Sequence, residues 1–196
     1  MKREKKENEI ALFGTSADPP TYGHQALLKG LLTLFPKVKT WASDNPIKQH
    51  GAPILKRREM LNALVKTISN PHLELMQELS SPWTITTLER AKELWPTKDL
   101  IFVIGSDLTS QIPTWVQAKD ILQKARIGIA PREGWPMDPL AIETLKSLGG
   151  HIELLPLKIP GAASSKVRNN TSPNDIPREI LPMLFEQNLY GLSAKK

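Results

Sequence analysis

The apolar and polar positions of this chain alternate between two periods. Residues 10–13 form a short apolar run that ends at Gly14, as a strand buried on both faces does. Leu27, Leu28, Leu31, Leu32 and Phe35 then recur at helical spacing, and Pro36 stops that helix. Residues 38–42 predict a second strand. Met60, Leu61, Leu64, Val65 and Ile68 predict a second helix, and residues 73–76 a third strand. Between 82 and 94, Ile85, Leu88 and Ala91 share one helical face. Residues 100–104, closing on Gly105, are the cleanest strand. Beyond it the pattern predicts a helix over 115–123, a strand over 126–130, a helix over 139–148 and a last strand over 152–155. Short helices follow over 164–169 and 178–187.

Strand and helix alternating throughout predict a single-domain, Rossmann-like α/β fold, a doubly wound parallel sheet with helices on both faces. The domain is expected over residues 10–190, preceded by a charged segment at 1–9. In such sheets ligands bind beyond the carboxyl ends of the strands. Function is therefore expected in the loops after Phe13, Ala42, Ile104 and Leu155.

Composition narrows the picture. With 40% hydrophobic and 23% charged residues over 196 positions, the chain has enough apolar material for a core. Cysteine is absent, which excludes disulfides, thiol nucleophiles and thiolate metal sites. No apolar run approaches the roughly 18 residues of a membrane span. The apolar stretch after the charged start is too short for a signal peptide. A cytoplasmic protein with no membrane partner is expected.

The net charge of +6 favours anionic partners. It does not come from the first nine residues, where Lys2, Arg3, Lys5 and Lys6 are nearly cancelled by Glu4, Glu7 and Glu9. No dense Lys/Arg run or aromatic-rich binding strand is present, so a nucleic-acid partner is not expected. Phosphorylated small molecules fit better. The sequence leaves a homo-oligomer open.

The first loop reads Gly14, Thr15, Ser16, Ala17, Asp18, Pro19, Pro20, Thr21, Tyr22, Gly23, His24. It follows a strand and opens a helix. Small residues there let backbone N–H groups approach a phosphate, and the helix N-terminus adds partial positive charge. Thr21 and His24 stand one helical turn apart on one face. The loop is neither a Walker A sequence nor a dinucleotide glycine fingerprint.

Gly14-Thr15, Asp18-Pro19 and Thr21-Tyr22-Gly23-His24 resemble the signature of the nucleotidyltransferase superfamily with the (H/T)-x-G-H motif. More narrowly, the chain resembles bacterial nicotinate mononucleotide adenylyltransferases of a cyanobacterial type. Thr21 stands where that family usually has its first His. Further segments align in order: Asn45-Pro46-Ile47-Lys48 with Pro-Pro-His-Lys, Arg57-Arg58-Glu59-Met60 with Arg-x-x-Met, and residues 81–88 with Ser-Tyr-Thr-x-x-Thr-Leu. Gly105-Ser106-Asp107 is similar to Gly-x-Asp, and Ile112-Pro113-Thr114-Trp115 to Leu-Pro-x-Trp. Residues 162–168 resemble Ile-Ser-Ser-Thr-x-Ile-Arg, with Ala163 in place of the first Ser.

The resemblance implies adenylyl transfer from ATP to nicotinate mononucleotide, giving nicotinate adenine dinucleotide and pyrophosphate in NAD biosynthesis. It implies catalytic roles for His24 and Arg168. ATP contacts fall on Gly14, Thr15, Ser16, Thr21, His24, Gly105, Asp107, Ser164, Ser165 and Arg168. Contacts to the pyridine mononucleotide fall on Lys48, Arg57, Thr84 and Trp115.

No metal ligands are expected from the protein, and Mg²⁺ is expected to arrive with ATP. Two other readings stay open. One is the same chemistry on nicotinamide mononucleotide or pantetheine phosphate. The other is a nucleotide sensor without turnover, motivated by the altered 162–168 stretch. Arg57 and Arg58 continue a charge run from Lys56, so at most one of them is expected to face a ligand. His50 is a weaker candidate for phosphate. Trp41, Trp83 and Trp95 are expected to pack.

Overall fold

The computed structural model describes residues 4–45, 48–161, 164–170 and 173–192. Six strands form one sheet in the order β3-β2-β1-β4-β5-β6. They are β1 (Glu9–Thr15), β2 (Val38–Ala42), β3 (Leu73–Leu75), β4 (Asp99–Gly105), β5 (Arg126–Ala130) and β6 (Ile152–Leu154). All five pairings are parallel. The helices are α1 (Tyr22–Leu34), α2 (Ile54–Ile68), α3 (Thr84–Leu94), α4 (Ala118–Lys124), α5 (Pro139–Ser147), α6 (Ser164–Asn170) and α7 (Leu181–Glu186).

The run at 10–13 is apolar without a break because it faces two cores. Ala11 and Phe13 point to the side covered by α1, α2, α6 and α7. Ile10 and Leu12 point to the side covered by α3, α4 and α5. The predicted doubly wound α/β architecture is therefore the one observed. Strand order reverses between β1 and β4, and this opens a crevice at their carboxyl ends.

Three expectations need correction. The predicted helix over 115–123 is broken. A 3₁₀ turn (Ile112–Thr114) comes first, Trp115 is extended, Gln117 adopts a left-handed φ of 55°, and only then does α4 begin. The edge of Trp115 packs against Phe102, with ring centroids 6.3 Å apart and 87° between planes, and this contact outweighs helix propensity. The helix predicted from 178 starts only at Leu181. Pro182 lies in its first turn, the helical position that proline tolerates. Finally, the charged segment does not include Glu9, which is the first residue of β1 and 0% exposed.

Burial of Glu9 is made tolerable by Arg126. Its guanidinium reaches past β4 to donate to Glu9 Oε1 at 3.0 Å and to Glu153 at 2.9 Å. Removing the shared cation from such a set weakens the compensation of the buried carboxylate, whereas removing that carboxylate as well costs far less. Arg126→Met is expected to lower unfolding free energy in urea by about 2–4 kcal/mol, and adding Glu9→Leu to restore most of the loss.

Candidate active site

The loop after β1 is shaped by two buried charges of opposite sign. Asp18 is 1% exposed. Its carboxylate accepts from the Gly51 N–H at 2.7 Å, the Ala52 N–H at 3.1 Å and the Tyr190 hydroxyl at 2.7 Å. Arg57, also 1% exposed, donates to the carbonyls of Ser16 (2.9 Å), Ser43 (2.7 Å) and Ala52 (3.0 Å). Between these anchors Ala17 adopts a left-handed φ of 47°. Gly14 lies under the Trp41 indole, where a Cβ would come within 2.7 Å of the ring.

The loop delivers His24 in one orientation. Thr21 caps α1 and forms a reciprocal capping box with His24. The Thr21 N–H donates to His24 Nδ1 at 3.1 Å, so Nδ1 carries the lone pair. The proton sits on Nε2, which donates to Thr15 Oγ1 at 2.9 Å. Burial, and then the Arg132 charge, push the pKa of His24 down to about 4. The ring is therefore a neutral donor at physiological pH.

Across the loop stands α6. Ser164 Oγ donates to the Pro19 carbonyl at 2.8 Å, and Arg168 donates to the Asp18 carbonyl at 2.6 Å. Beyond β4, Asp107 faces Arg132 at 3.7 Å, and a Cβ on Gly105 would collide with the Asp107 carboxylate. These parts surround a cleft of about 850 Å³ at the point where strand order reverses. Its volume is in the range of small-molecule sites.

Most residues expected to bind ligand line this one cleft. Gly14, Thr15, Ser16, His24, Gly105, Asp107, Ser164, Ser165 and Arg168 do so, as do Lys48, Thr84 and Trp115. Two do not. Arg57 lies under the loop with its donors taken by main-chain carbonyls and by Asp44 at 3.5 Å, so it supports the cleft from behind. The stripe Met60, Leu61, Leu64, extended back by one turn, lands on Arg57 and carried this information. Thr21 is 0% exposed and serves to hold His24. Of the weaker candidates, His50 also lines the cleft, and its Nε2 is buried without a partner among the described residues. Pro46, Ile47, Ala162 and Ala163 lie outside the described residues.

The aromatic expectations divide. Trp41 packs, at 2% exposed. Trp83 does not: it is 47% exposed on the rim, and Trp135 at 52% joins it there. Sequence reasoning passed over both as site residues. A tryptophan beside a serine-rich helix start is a signal in the case of Trp83; for Trp135 the signal was the likeness of Arg132-Glu133-Gly134-Trp135 to the family's Arg-Pro-Gly-Tyr loop. Among the described residues no three His, Cys, Asp or Glu side chains gather as a metal site, and no helix is long and apolar enough to cross a membrane.

A cleft of this size at the β1/β4 switch point, with a histidine held on the first helical turn, suits a nucleotide ligand, and similarity to known proteins makes the chain a nucleotidyltransferase. The chain belongs to the cytidylyltransferase-like family, whose model matches residues 12–172. It is 34% identical over 93% of its length to a Synechocystis protein named "Probable nicotinate-nucleotide adenylyltransferase", covering 98% of that relative. An Escherichia coli protein of the same name is 29% identical, over 92% of this chain and 97% of its own. Among solved structures, the Plasmodium falciparum nicotinic acid mononucleotide adenylyltransferase complexed with NaAD superposes with a TM-score of 0.77 at 21% identity. That match covers 96% of this chain and 100% of the other.

The pKa of His24 makes stability depend on pH. A histidine in the unfolded chain titrates near 6.5, and His24 in the fold at about 4. The unfolded state therefore binds the proton more readily between these values. The contribution of neutral His24 is complete above pH 6.5 and is lost as pH falls towards 4. Urea denaturation from pH 7 to 4.5 should show this loss, and the pH dependence should be shallower in His24→Gln.

Proposed function

We propose that this protein transfers the adenylyl group of ATP to nicotinate mononucleotide, giving nicotinate adenine dinucleotide and pyrophosphate. The carrying observation is the pair His24 and Arg168, one neutral donor and one cation held against the same loop and lining a cleft that Trp115 also lines. The family match and the names of its relatives support the same reaction.

In this reading a 5′-phosphate oxygen of the mononucleotide attacks the α-phosphorus of ATP. The bond to the β-phosphate bridging oxygen breaks, and pyrophosphate leaves. The nucleophile is already an anion, so no side chain has to remove a proton. Catalysis is positioning and charge neutralisation. His24 Nε2–H turns from Thr15 to a phosphate oxygen. Its neutral state suits a hydrogen-bond donor rather than a proton-transfer acid. Arg168 carries the compensating charge, and Ser164 and Ser165 hold the triphosphate from α6. Gly105 and Asp107 take the nucleotide ribose. Trp115 and Thr84 receive the pyridine ring, and Lys48 supports a phosphate. Mg²⁺ enters with ATP as part of the substrate, held by phosphate oxygens and water.

The direct test is pyrophosphate release from MgATP with nicotinate and nicotinamide mononucleotides in parallel. The acid is expected to be the better acceptor. His24→Ala should lower kcat by roughly 10²–10³-fold while keeping the thermal unfolding transition. A folded His24→Ala protein with full turnover would overturn the mechanism, and pyrophosphate release with neither acceptor would overturn the reaction.

A further inference from the structure

Arg168 is ion-paired only loosely with the carboxylate beside it. Its Nη1 lies 3.6 Å from Asp18 Oδ2 but 2.6 Å from the Asp18 main-chain carbonyl. Three other donors already take most of the roughly four acceptor sites of the carboxylate, two on Oδ1 and one on Oδ2. Gly51 N–H takes Oδ2 at 2.7 Å, and Ala52 N–H takes Oδ1 at 3.1 Å. The shortest bond to Oδ1, at 2.7 Å, comes from the hydroxyl of Tyr190, 172 residues further along the chain. His50 Nδ1 adds a cationic neighbour only when protonated, 3.6 Å from Oδ2.

Tyr190 is placed for this contact at a cost. Its φ of 57° is left-handed, an unfavourable region for an aromatic residue, and such outliers concentrate where function over-determines the backbone. Its ring and the Arg168 stem both pack on Gly51. A Cβ there would lie 2.8 Å from Tyr190 Cε1 and 2.9 Å from Arg168 Cδ. The phenol stays protonated, because burial and the Asp18 charge both raise its pKa. It is a permanent donor.

We infer that Tyr190 is a positioning residue for Arg168: by occupying Asp18 Oδ1, its hydroxyl keeps the carboxylate from pairing bidentately with the guanidinium and leaves that charge facing the cleft. Without the hydroxyl, Oδ1 keeps only the Ala52 N–H, and the carboxylate whose Oδ2 already lies 3.6 Å from Arg168 can take the guanidinium at two points and draw it off the phosphates. The inference rests on the proposed reaction, in which Arg168 neutralises phosphate charge.

The test is a double-mutant cycle on kcat/KM for ATP, using Tyr190→Phe and Arg168→Gln. Tyr190→Phe keeps the ring on Gly51. It is expected to lower kcat/KM roughly tenfold, the effect of losing a hydrogen bond to a charged group. In the Arg168→Gln background, which has no guanidinium to capture, the same substitution should change kcat/KM less than about twofold. An equal factor in both backgrounds, no loss in Tyr190→Phe, or failure of Tyr190→Phe to fold would each overturn the inference. Calorimetric affinity for MgATP closes the same cycle where turnover is too slow to follow. A folded wild-type chain that binds ATP but releases no pyrophosphate speaks against the reaction, while the affinity cycle still decides the role of Tyr190.

Discussion

The architecture of the site depends on how the chain satisfies two charges buried around its first loop. Asp18 and Arg57 are both 1% exposed, and unpaired charges at that depth would be very costly. They are not paired with each other in close contact. Each is instead held mainly by backbone groups from separate segments, Asp18 by Gly51 and Ala52 together with the Tyr190 hydroxyl, and Arg57 by Ser16, Ser43 and Ala52 with Asp44 at 3.5 Å. Both charges meet at Ala52, so the loops after β1 and β2 are tied to one point. These bonds fix the crevice walls relative to each other, and α1 then presents His24 from a rigid base.

Much of the scaffold was legible because its periodicities are clean. Residues 10–13 and 100–104 read as fully buried strands, and they are the two central ones. The breaks arose where one contact overrode a pattern. Trp115 has the spacing to begin a helix, yet its edge contact with Phe102 holds it extended. The site was legible wherever its residues lie close together in sequence, as from Gly14 to His24. It was obscure where a side chain's task is set by distant neighbours. Arg57 belongs to a charge run that normally faces water, and only the helical stripe marked it as inward. Tyr190 carries no motif of its own; its contact with Asp18 spans nearly the whole chain and is a product of the fold.

The same physics accounts for the division between carboxylates and donors in the cleft. A site for two phosphorylated reactants must not present free negative charge to them. Asp18 lies in its wall, but its oxygens are turned to N–H and O–H groups of the scaffold. Asp107 faces Arg132. The third carboxylate of the lining, Asp44, faces Arg57 at 3.5 Å, and the donors His24, Arg168, Ser164 and Ser165 line the same cleft.

This arrangement explains why the histidine is held neutral. A proton-transfer group works best with a pKa near the operating pH, and His24 is held far below it by burial and by Arg132. A second mobile cation would pair with Asp18 or Asp107 and disturb the donors already set. A neutral imidazole, its tautomer fixed by the Thr21 N–H, has no such competing attraction. It offers one N–H in one direction, which is what a developing charge on phosphate oxygens requires. The buried groups Asp18 and Arg57 are spent on holding geometry and His24 on donating one hydrogen bond, in keeping with a reaction whose nucleophile needs no base.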